Sequence, residues 1–254
     1  DVHRRLPSGS NEVQDMRRLF QFKETAATIE ADEECLKLAE EALLEAREQV
    51  EAYIAKDPFF KATFDPYPVR SDMGKVVKDM CVAAQKADVG PMAAVAGAIS
   101  QAAVSAMVEA GCKHCLVDNG GDIAMRTNRT VNVGLYAGEC TPNYLAIEVP
   151  ATKRMLGICT SSGTVGPSIS FGRADLATVI SEDVALADAC ATKLGNLITE
   201  DDLTLMDRSI REVLSIKGVK GALVMINGKL GMGGDVPRLV RCDVPPDRIT
   251  RIRF

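Results

Sequence analysis

A chain of 254 residues is long enough to bury a full hydrophobic core, either as one large domain or as two small ones. Apolar residues make up 46% of it and charged residues 26%, which is an ordinary composition for a soluble globular protein. The formal net charge of -5 excludes a general positive field for nucleic acid and gives no attraction to an acidic membrane surface.

The eight cysteines do not have the spacing of a disulfide-rich scaffold or of a zinc-binding domain. Cys112 and Cys115 form one CxxC pair, but no second pair stands at zinc-finger distance from it. We therefore expect most of these thiols to be buried and reduced, which indicates a cytoplasmic protein. The first residues of the chain show no secretory signal pattern, in agreement with this expectation.

The first half of the chain predicts a polar arm, strands and two helices. Residues 1–18 are expected to form an N-terminal arm, followed by one α+β domain over 19–254. Residues 19–30 alternate loosely and predict one or two strands. The clearest helix is predicted over 32–54, where apolar residues recur every three or four positions. Residues 89–108 carry no charge over a length that could cross a bilayer, but their small residues and Gln101 favour a core helix.

The second half predicts mostly strands, which follow one another directly or through hairpins. Strands are predicted over 113–117, 131–136, 144–149 and 176–180, and helices over 182–194 and 200–216. The first of these strands continues into 119–124, where paired glycines permit a turn, a bulge or a close approach to a ligand. Asn227-Gly228 between two apolar runs is the strongest hairpin signal, and the tail from Arg238 predicts an edge element. This order favours the α+β class, with antiparallel sheets covered by helices, over a purely parallel sheet.

The stretch 157–196 contains the most informative polar residues. A loop of small residues comes first, then the predicted strand, and then a helix on which Asp188 and Thr192 stand four residues apart. Their side chains therefore share one helix face. The pair is either a set of oxygen ligands for a hard cation or a local hydrogen bond within a packed helix.

Two loops, 118–122 and 160–163, can present backbone N–H groups to a phosphate or a carboxylate, or they can be simple tight turns. Neither loop matches the glycine motifs of Rossmann or P-loop proteins. The only histidines are His3 and His114, which excludes a His-rich zinc site, and no nucleophile stands at a recognisable elbow beside His114. Hard-cation chemistry with oxygen ligands, such as Mg²⁺ or Ca²⁺, remains.

Three motifs together resemble the ApbE superfamily, whose best-known members are Mg²⁺-dependent FAD:protein FMN transferases. They are the segments 119–123 (NGGDI), 160–163 (TSSG) and 187–192 (ADACAT). The run that joins SSGTVG to the last of these segments is similar to the UPF0280 branch, ApbE-like proteins without an established role. The resemblance covers most of the chain and implies an ApbE-like α+β fold.

The resemblance also implies functional residues. It implies that Asp188 and Thr192 bind a metal ion, with Mg²⁺ as cofactor and FAD or FMN as the flavin ligand. We place Arg173 and Asp175 at the reacting end, as catalytic residues, and the class suggests a homodimer. The residues implied in binding the flavin or another phosphorylated ligand are Asn119, Gly120, Gly121, Asp122, Thr160, Ser161, Ser162, Gly163 and Thr164.

The chain departs from the transferases at the positions used for flavin recognition and transfer. Their Lys-Gly pair and the aspartate four residues after it correspond here to Ala96, Gly97 and Gln101, and the loop after Ser162-Gly163 has no histidine. Standard FMN transfer is therefore not expected. Three hypotheses stay open: an altered ApbE-like transferase or other enzyme using Mg²⁺ and a nucleotide-type substrate, a non-catalytic flavin or nucleotide carrier or sensor, and a structural or partner-binding protein with a vestigial site.

Overall fold

The computed structural model describes residues 16–22, 25–135, 145–162 and 172–242. The helices are α1 (Glu33–Lys56), α2 (Phe59–Ala62), α3 (Lys75–Ala87), α4 (Val95–Glu109), α5 (Val184–Leu197) and α6 (Leu203–Leu214). The strands are β1 (Met16–Phe22), β2 (Thr25–Ala31), β3 (Cys115–Asn119), β4 (Asp122–Arg126), β5 (Val131–Gly134), β6 (Leu145–Val149), β7 (Leu156–Ser161), β8 (Leu176–Ser181), β9 (Val219–Ile226), β10 (Lys229–Gly234) and β11 (Leu239–Arg241).

The strands form one large and one small sheet. The eight-stranded sheet has the order β1-β2-β3-β4-β7-β8-β9-β10, and the three-stranded sheet has the order β11-β6-β5. All neighbouring strands in both sheets pair antiparallel. The prediction of an α+β fold built from antiparallel sheets and helices is therefore confirmed.

Alternate residues of the large sheet enter two separate cores, because successive side chains of a strand point to opposite faces. Ala124, Cys159 and Val179 face the helices. Met125, Ile158 and Ile180 face the small sheet. The large sheet is thus the middle layer, between the helices on one side and the small sheet on the other.

Helix α4 lies at the centre of the helical layer, in contact with α1, α5, β3 and β4. Together with a 3-10 turn at Pro91–Ala94 it makes one stretch, Pro91–Glu109, that is long and apolar enough to cross a bilayer, and half of that stretch is buried inside the fold. A Cβ at Gly97 would lie 2.6 Å from the carbonyl oxygen of Val184. This is the predicted core helix whose small residues let another backbone come close.

Several local predictions are confirmed. Helix α1 spans Glu33–Lys56, with its apolar positions buried and its main packing partner α4. Asn227 and Gly228 both have positive φ, 48° and 74°, as the tight turn between β9 and β10 requires. Strand β11 is an edge strand of the small sheet, where the tail was expected.

Other local predictions are wrong. Pro58, Pro66 and Pro68 predict an irregular connection after α1, so helix α3 was not predicted, although its apolar residues are buried at helical spacing. Thr160 and Ser161 are not in a loop: they end β7, because its pairing with β8 continues to Ala177. Helix α5 does not end at 194 but continues to Leu197, and α6 begins at Leu203 rather than at 200, with Asp202 as its cap accepting the Leu205 N–H.

Residues 16–18, at the end of the expected N-terminal arm, pair with β2 as part of β1. The rest of that segment lies outside the described residues. Along β1 the register runs from Met16 opposite Ala31 to Phe22 opposite Thr25. The first strand is therefore an edge of the large sheet.

The expectation of reduced thiols is wrong for Cys35 and Cys112, which form a disulfide between the start of α1 and the end of α4. They are 77 residues apart in sequence, with Cα atoms 6.4 Å apart. Only the packing of α1 on α4 brings them together, so their spacing gave no signal. Free thiols are found at Cys81, Cys115, Cys159, Cys190 and Cys242, as expected, and Cys140 lies outside the described residues.

Candidate functional site

Three segments meet on the helix-facing side of the large sheet, near the end of β7. Asp122, the first residue of β4, pairs with Cys159 of β7, and Ser161 follows two residues later. The alternation along β7 therefore turns Cys159 and Ser161 to the same face as Asp122. Asp188 lies on α5, which packs against β7 and β8, and Thr192 is one helical turn further on.

Asp122 and Asp188, which we call the acidic pair, lie close enough for each carboxyl to affect the pKa of the other. Asp188 is only 8% exposed, and its Oδ2 accepts the backbone N–H of Gly97 at 2.7 Å. The Oδ1 of Asp122 is buried without a hydrogen-bond partner. No salt bridge to either carboxyl is formed among the described residues.

Burial dominates the protonation of the acidic pair. It raises the pKa of Asp122 well above the ordinary value, and the charges of Asp188 and Asp118 raise it further. Burial also raises the pKa of Asp188, against the opposing effect of the N–H groups of Gly97 and Ala96, which stabilise its charged form. Two buried carboxyls this close hold a proton between them or require a cation.

Cys159 and Ser161 complete this face of β7. The Cys159 thiol donates to the Val184 carbonyl oxygen at 3.6 Å. Its burial and the nearby carboxyls raise its pKa well above the ordinary value, so it is a protonated thiol and a poor nucleophile. The Ser161 hydroxyl is buried with no hydrogen-bond partner. Sequence reasoning missed Cys159, which alternation with Ser161 along an apolar strand could have indicated.

The two glycines of the turn between β3 and β4 are required by its backbone conformation. Gly120 and Gly121 have φ of 70° and 101°, in the region that favours glycine. The Gly121 N–H donates to Oδ1 of Asp118 at 2.8 Å, so this predicted phosphate donor is already engaged. Asn119 donates from Nδ2 to the Ala96 carbonyl oxygen at 3.4 Å, which ties the turn to the start of α4.

The other predicted ligand-binding residues separate in space. The Thr160 hydroxyl is 2.9 Å from that of Thr178, on the face of the sheet opposite the acidic pair. Ser162 is buried just after β7. Gly163 and Thr164 lie outside the described residues.

Arg173 and Asp175, predicted as catalytic, lie at another place. The Arg173 N–H donates to the Ile198 carbonyl oxygen at 2.7 Å, and Asp175 accepts the Asn227 N–H at 2.7 Å. Ile198 follows Asp188 by ten residues, which corresponds to about 15 Å along a helix. Their contacts are thus with the C-terminal end of α5 and the β9–β10 turn, and their catalytic role stays a prediction.

The donor set at the acidic pair suits a hard cation only in part. Within the described ranges, no group of three or more His, Cys, Asp and Glu side chains is arranged to hold a metal ion. Mg²⁺ is commonly held by one or two carboxylates and completed by water and phosphate oxygens. Two carboxyls with one unpartnered oxygen fit such a cation, with the remaining positions supplied by the ligand and by neutral oxygens.

Known proteins of similar sequence share nearly the whole chain. A family model described as "AbpE bacteria" matches residues 10–228. A UPF0280 protein of Methanocella arvoryzae is 47% identical over 232 residues, which are 91% of this chain and 94% of the relative. A UPF0280 protein of Methanosarcina barkeri is 46% identical over 233 residues, covering 91% and 92% of the two chains.

Solved structures are similar in fold at much lower identity. The flavin transferase ApbE from Vibrio cholerae matches with a TM-score of 0.56 and 12% identity, over 87% of this chain and 97% of that one. The ApbE protein from Thermotoga maritima matches with a TM-score of 0.54, also at 12% identity and the same coverage. At this identity the likeness concerns the fold.

Proposed function

Because the chain belongs to the ApbE-like UPF0280 family, we propose that it binds a flavin- or nucleotide-type phosphorylated ligand at the acidic pair, with a divalent cation. One observation carries the proposal: Asp188 is buried next to Asp122, whose Oδ1 is itself buried and has no hydrogen-bond partner. A buried carboxylate is costly unless it is paired or binds a metal. A cation between the pair and a phosphate would neutralise both.

Each residue of the site has a role in this proposal. Asp122 and Asp188 supply the negative charge, and Thr192 offers a neutral oxygen one turn along α5. The Ser161 hydroxyl, buried and unpartnered, is free to donate to an oxygen of the ligand. When bound, Mg²⁺ would supply the positive charge that holds phosphate oxygens next to two carboxylates.

We do not expect FMN transfer to a protein acceptor. Ala96, Gly97 and Gln101 stand where the transferases are expected to have lysine, glycine and aspartate. The Gln101 amide oxygen accepts the Val184 N–H at 2.6 Å, so its side chain is engaged within the fold. His114 is held by Thr127 and Glu30, and neither contact belongs to the site.

A carrier or sensor of the same ligand is the second candidate function. The specific observation in its favour is Cys159, the thiol beside the acidic pair, which burial keeps protonated. Among the described residues of the site there is also no histidine to accept a proton. Binding of the ligand needs neither a nucleophilic thiol nor a proton acceptor, whereas a transfer step needs some group that moves a proton.

The binding test is a titration of the protein with FAD, with and without Mg²⁺, followed by flavin fluorescence and calorimetry. We expect Mg²⁺-dependent binding that is lost in Asp188→Ala, because the variant leaves only one carboxylate, Asp122, with Thr192 as a neutral and weak ligand. Asp202→Ala, which removes a carboxylate from the start of α6, is the matched control and should bind normally. If the wild-type protein binds no flavin and no nucleotide, only the vestigial site remains.

The activity test is incubation with FAD, Mg²⁺ and an acceptor peptide of a flavin transferase, followed by in-gel fluorescence. We expect no covalent flavin on the peptide. Strong labelling would show that the three departures do not prevent transfer and would restore the transferase.

A further inference from the structure

Helices α4 and α5 cap each other's first turns. Oε1 of Gln101 on α4 accepts the Val184 N–H at 2.6 Å and the Ala185 N–H at 3.4 Å, both at the start of α5. Oδ2 of Asp188 on α5 accepts the Gly97 N–H at 2.7 Å, in the first turn of α4. Gly97 and Gln101 are one turn apart, as are Val184 and Asp188, so these hydrogen bonds close a ring between the two helices.

The first turns of both helices depend on these hydrogen bonds from the opposite helix. The first N–H groups of a helix have no partner within it and need one from elsewhere. Helix α4 has no side-chain cap of its own. Helix α5 has Asp183, but that carboxylate accepts the Leu186 N–H, which leaves the N–H groups of Val184 and Ala185 to Gln101.

The two helices can exchange these bonds because Gly97 lets them touch. A Cβ at this position would lie 2.6 Å from the Val184 carbonyl oxygen and 2.7 Å from Cβ of Asp188. Both are shorter than real contacts allow. The distance between the helices is therefore set where Asp188 leaves α5.

We propose that Gln101 is a positioning residue for the acidic pair: by holding the first turn of α5 against α4, it holds the Asp188 carboxyl toward Asp122. The amide provides the acceptor oxygen without adding a third negative charge beside two buried carboxyls. For its consequence on metal binding, the inference rests on the proposed function. The ring itself does not.

Hydrogen exchange of single amides tests the ring directly. In Gln101→Met the acceptor is lost at similar volume, and Val184 should exchange faster because its own bond is gone. The decisive amide is Gly97, which Gln101 does not touch. Loss of one hydrogen bond corresponds to roughly a tenfold change in an equilibrium, and we expect Gly97 to exchange about tenfold faster as well.

The controls separate positioning from general loss of stability. Asp202→Ala removes a similar cap, that of the Leu205 N–H on α6, and should leave Gly97 exchange unchanged. Gln101→Glu keeps an acceptor oxygen for Val184 and should restore protection of that amide, although it adds a negative charge near the acidic pair. If Gly97 stays protected in Gln101→Met while Val184 does not, Gln101 is a local cap and the inference is overturned.

A variant from the opposite helix keeps the test available if Gln101→Met does not fold. Gly97→Ala should push the helices apart and raise exchange at Val184. Unchanged exchange there would also overturn the inference.

Metal binding gives the functional readout. With Mn²⁺ as the probe, followed by electron paramagnetic resonance, we expect Gln101→Met to bind about tenfold more weakly, the effect of one lost hydrogen bond. Asp202→Ala should match the wild type. An unchanged affinity in Gln101→Met would overturn the inference. If the wild-type protein binds no Mn²⁺, the proposed function is overturned, and the exchange rate of the Gly97 amide alone tests whether Gln101 positions Asp188.

Discussion

Two clusters of polar residues next to the large sheet, one around His114 and the other the acidic pair, are built in opposite ways. His114 is 1% exposed, and its ring nitrogens lie 3.0 Å from the Thr127 hydroxyl and 3.3 Å from the Glu30 carboxylate. Arg129 lies 3.1 Å from both His114 and Glu30, so the carboxylate faces a cation. In the acidic pair, Asp122 and Asp188 face each other, and one oxygen has no partner.

The difference teaches that burial of polar groups does not by itself indicate a functional site. Around His114 the hydrogen bonds and the charges are satisfied within the chain, so stability alone explains the arrangement. In the acidic pair they are not satisfied, so the folded chain keeps the free-energy cost of burying these groups. The remaining requirement is for a proton or a cation, and this is what distinguishes a candidate site from a structural cluster.

The largest effect is expected from a substitution that removes His114 from its hydrogen-bonded cluster. His114→Leu removes the ring that contacts Thr127 and Glu30 inside the fold, and we expect it to lower the free energy of unfolding by about 3 kcal/mol. Urea denaturation measures this. Mn²⁺ binding to the folded variant should be unchanged, and a large loss of affinity would mean that the two clusters are not independent.

The second-largest effect is expected from binding of a cation at the acidic pair. Mg²⁺ at 100 times its dissociation constant should raise the free energy of unfolding by about 2.7 kcal/mol, because the ion binds only the folded chain. Thermal unfolding with and without Mg²⁺ measures the change. Asp188→Ala should show no response, whereas an equal response in this variant would place the ion elsewhere.

A smaller effect is expected for Asp122, where a substitution should stabilise the fold, whereas the substitution at His114 destabilises it. At pH 8 without metal, Asp122→Asn should raise the free energy of unfolding by about 2 kcal/mol, since Asp122 ionises in the unfolded chain while burial disfavours its ionisation in the folded one, a cost that the neutral amide does not carry. Urea denaturation at fixed pH measures it. The same variant should lose the response to Mg²⁺, and a destabilised variant would show that the Asp122 charge is compensated.

The smallest effect is the stabilisation that the same substitution, Asp122→Asn, gives at acidic pH. The pKa of Asp122 is raised in the folded state, while an unfolded aspartate titrates near 3.9. As the pH rises above about 4, the unfolded chain releases a proton that the folded chain keeps, so the wild type loses stability with rising pH. At pH 3, below the pKa of the unfolded aspartate, the advantage of Asp122→Asn should therefore fall below about 0.5 kcal/mol. An advantage equal at pH 3 and pH 8 would mean that the folded carboxyl is ionised throughout.

The sequence by itself determined the elements whose signals are local. Helix α1, the buried α4 and the Asn227-Gly228 hairpin follow from spacing and turn chemistry within a few residues. It also determined the family, since three separated motifs are read without knowing where they lie. Helix α3 had the same kind of local signal, and the prolines before it concealed it.

Only the tertiary structure decided which of the predicted site residues meet. Asp188 and Gly97 are 91 residues apart in the chain and share a hydrogen bond, and Cys35 and Cys112 are joined across 77 residues. Alternation in β7 turned Ser161 toward the helices and Thr160 away from them once the strand was known. Spacing along a chain fixes the direction of side chains within one element, whereas contacts between elements depend on how the helices and the sheet pack.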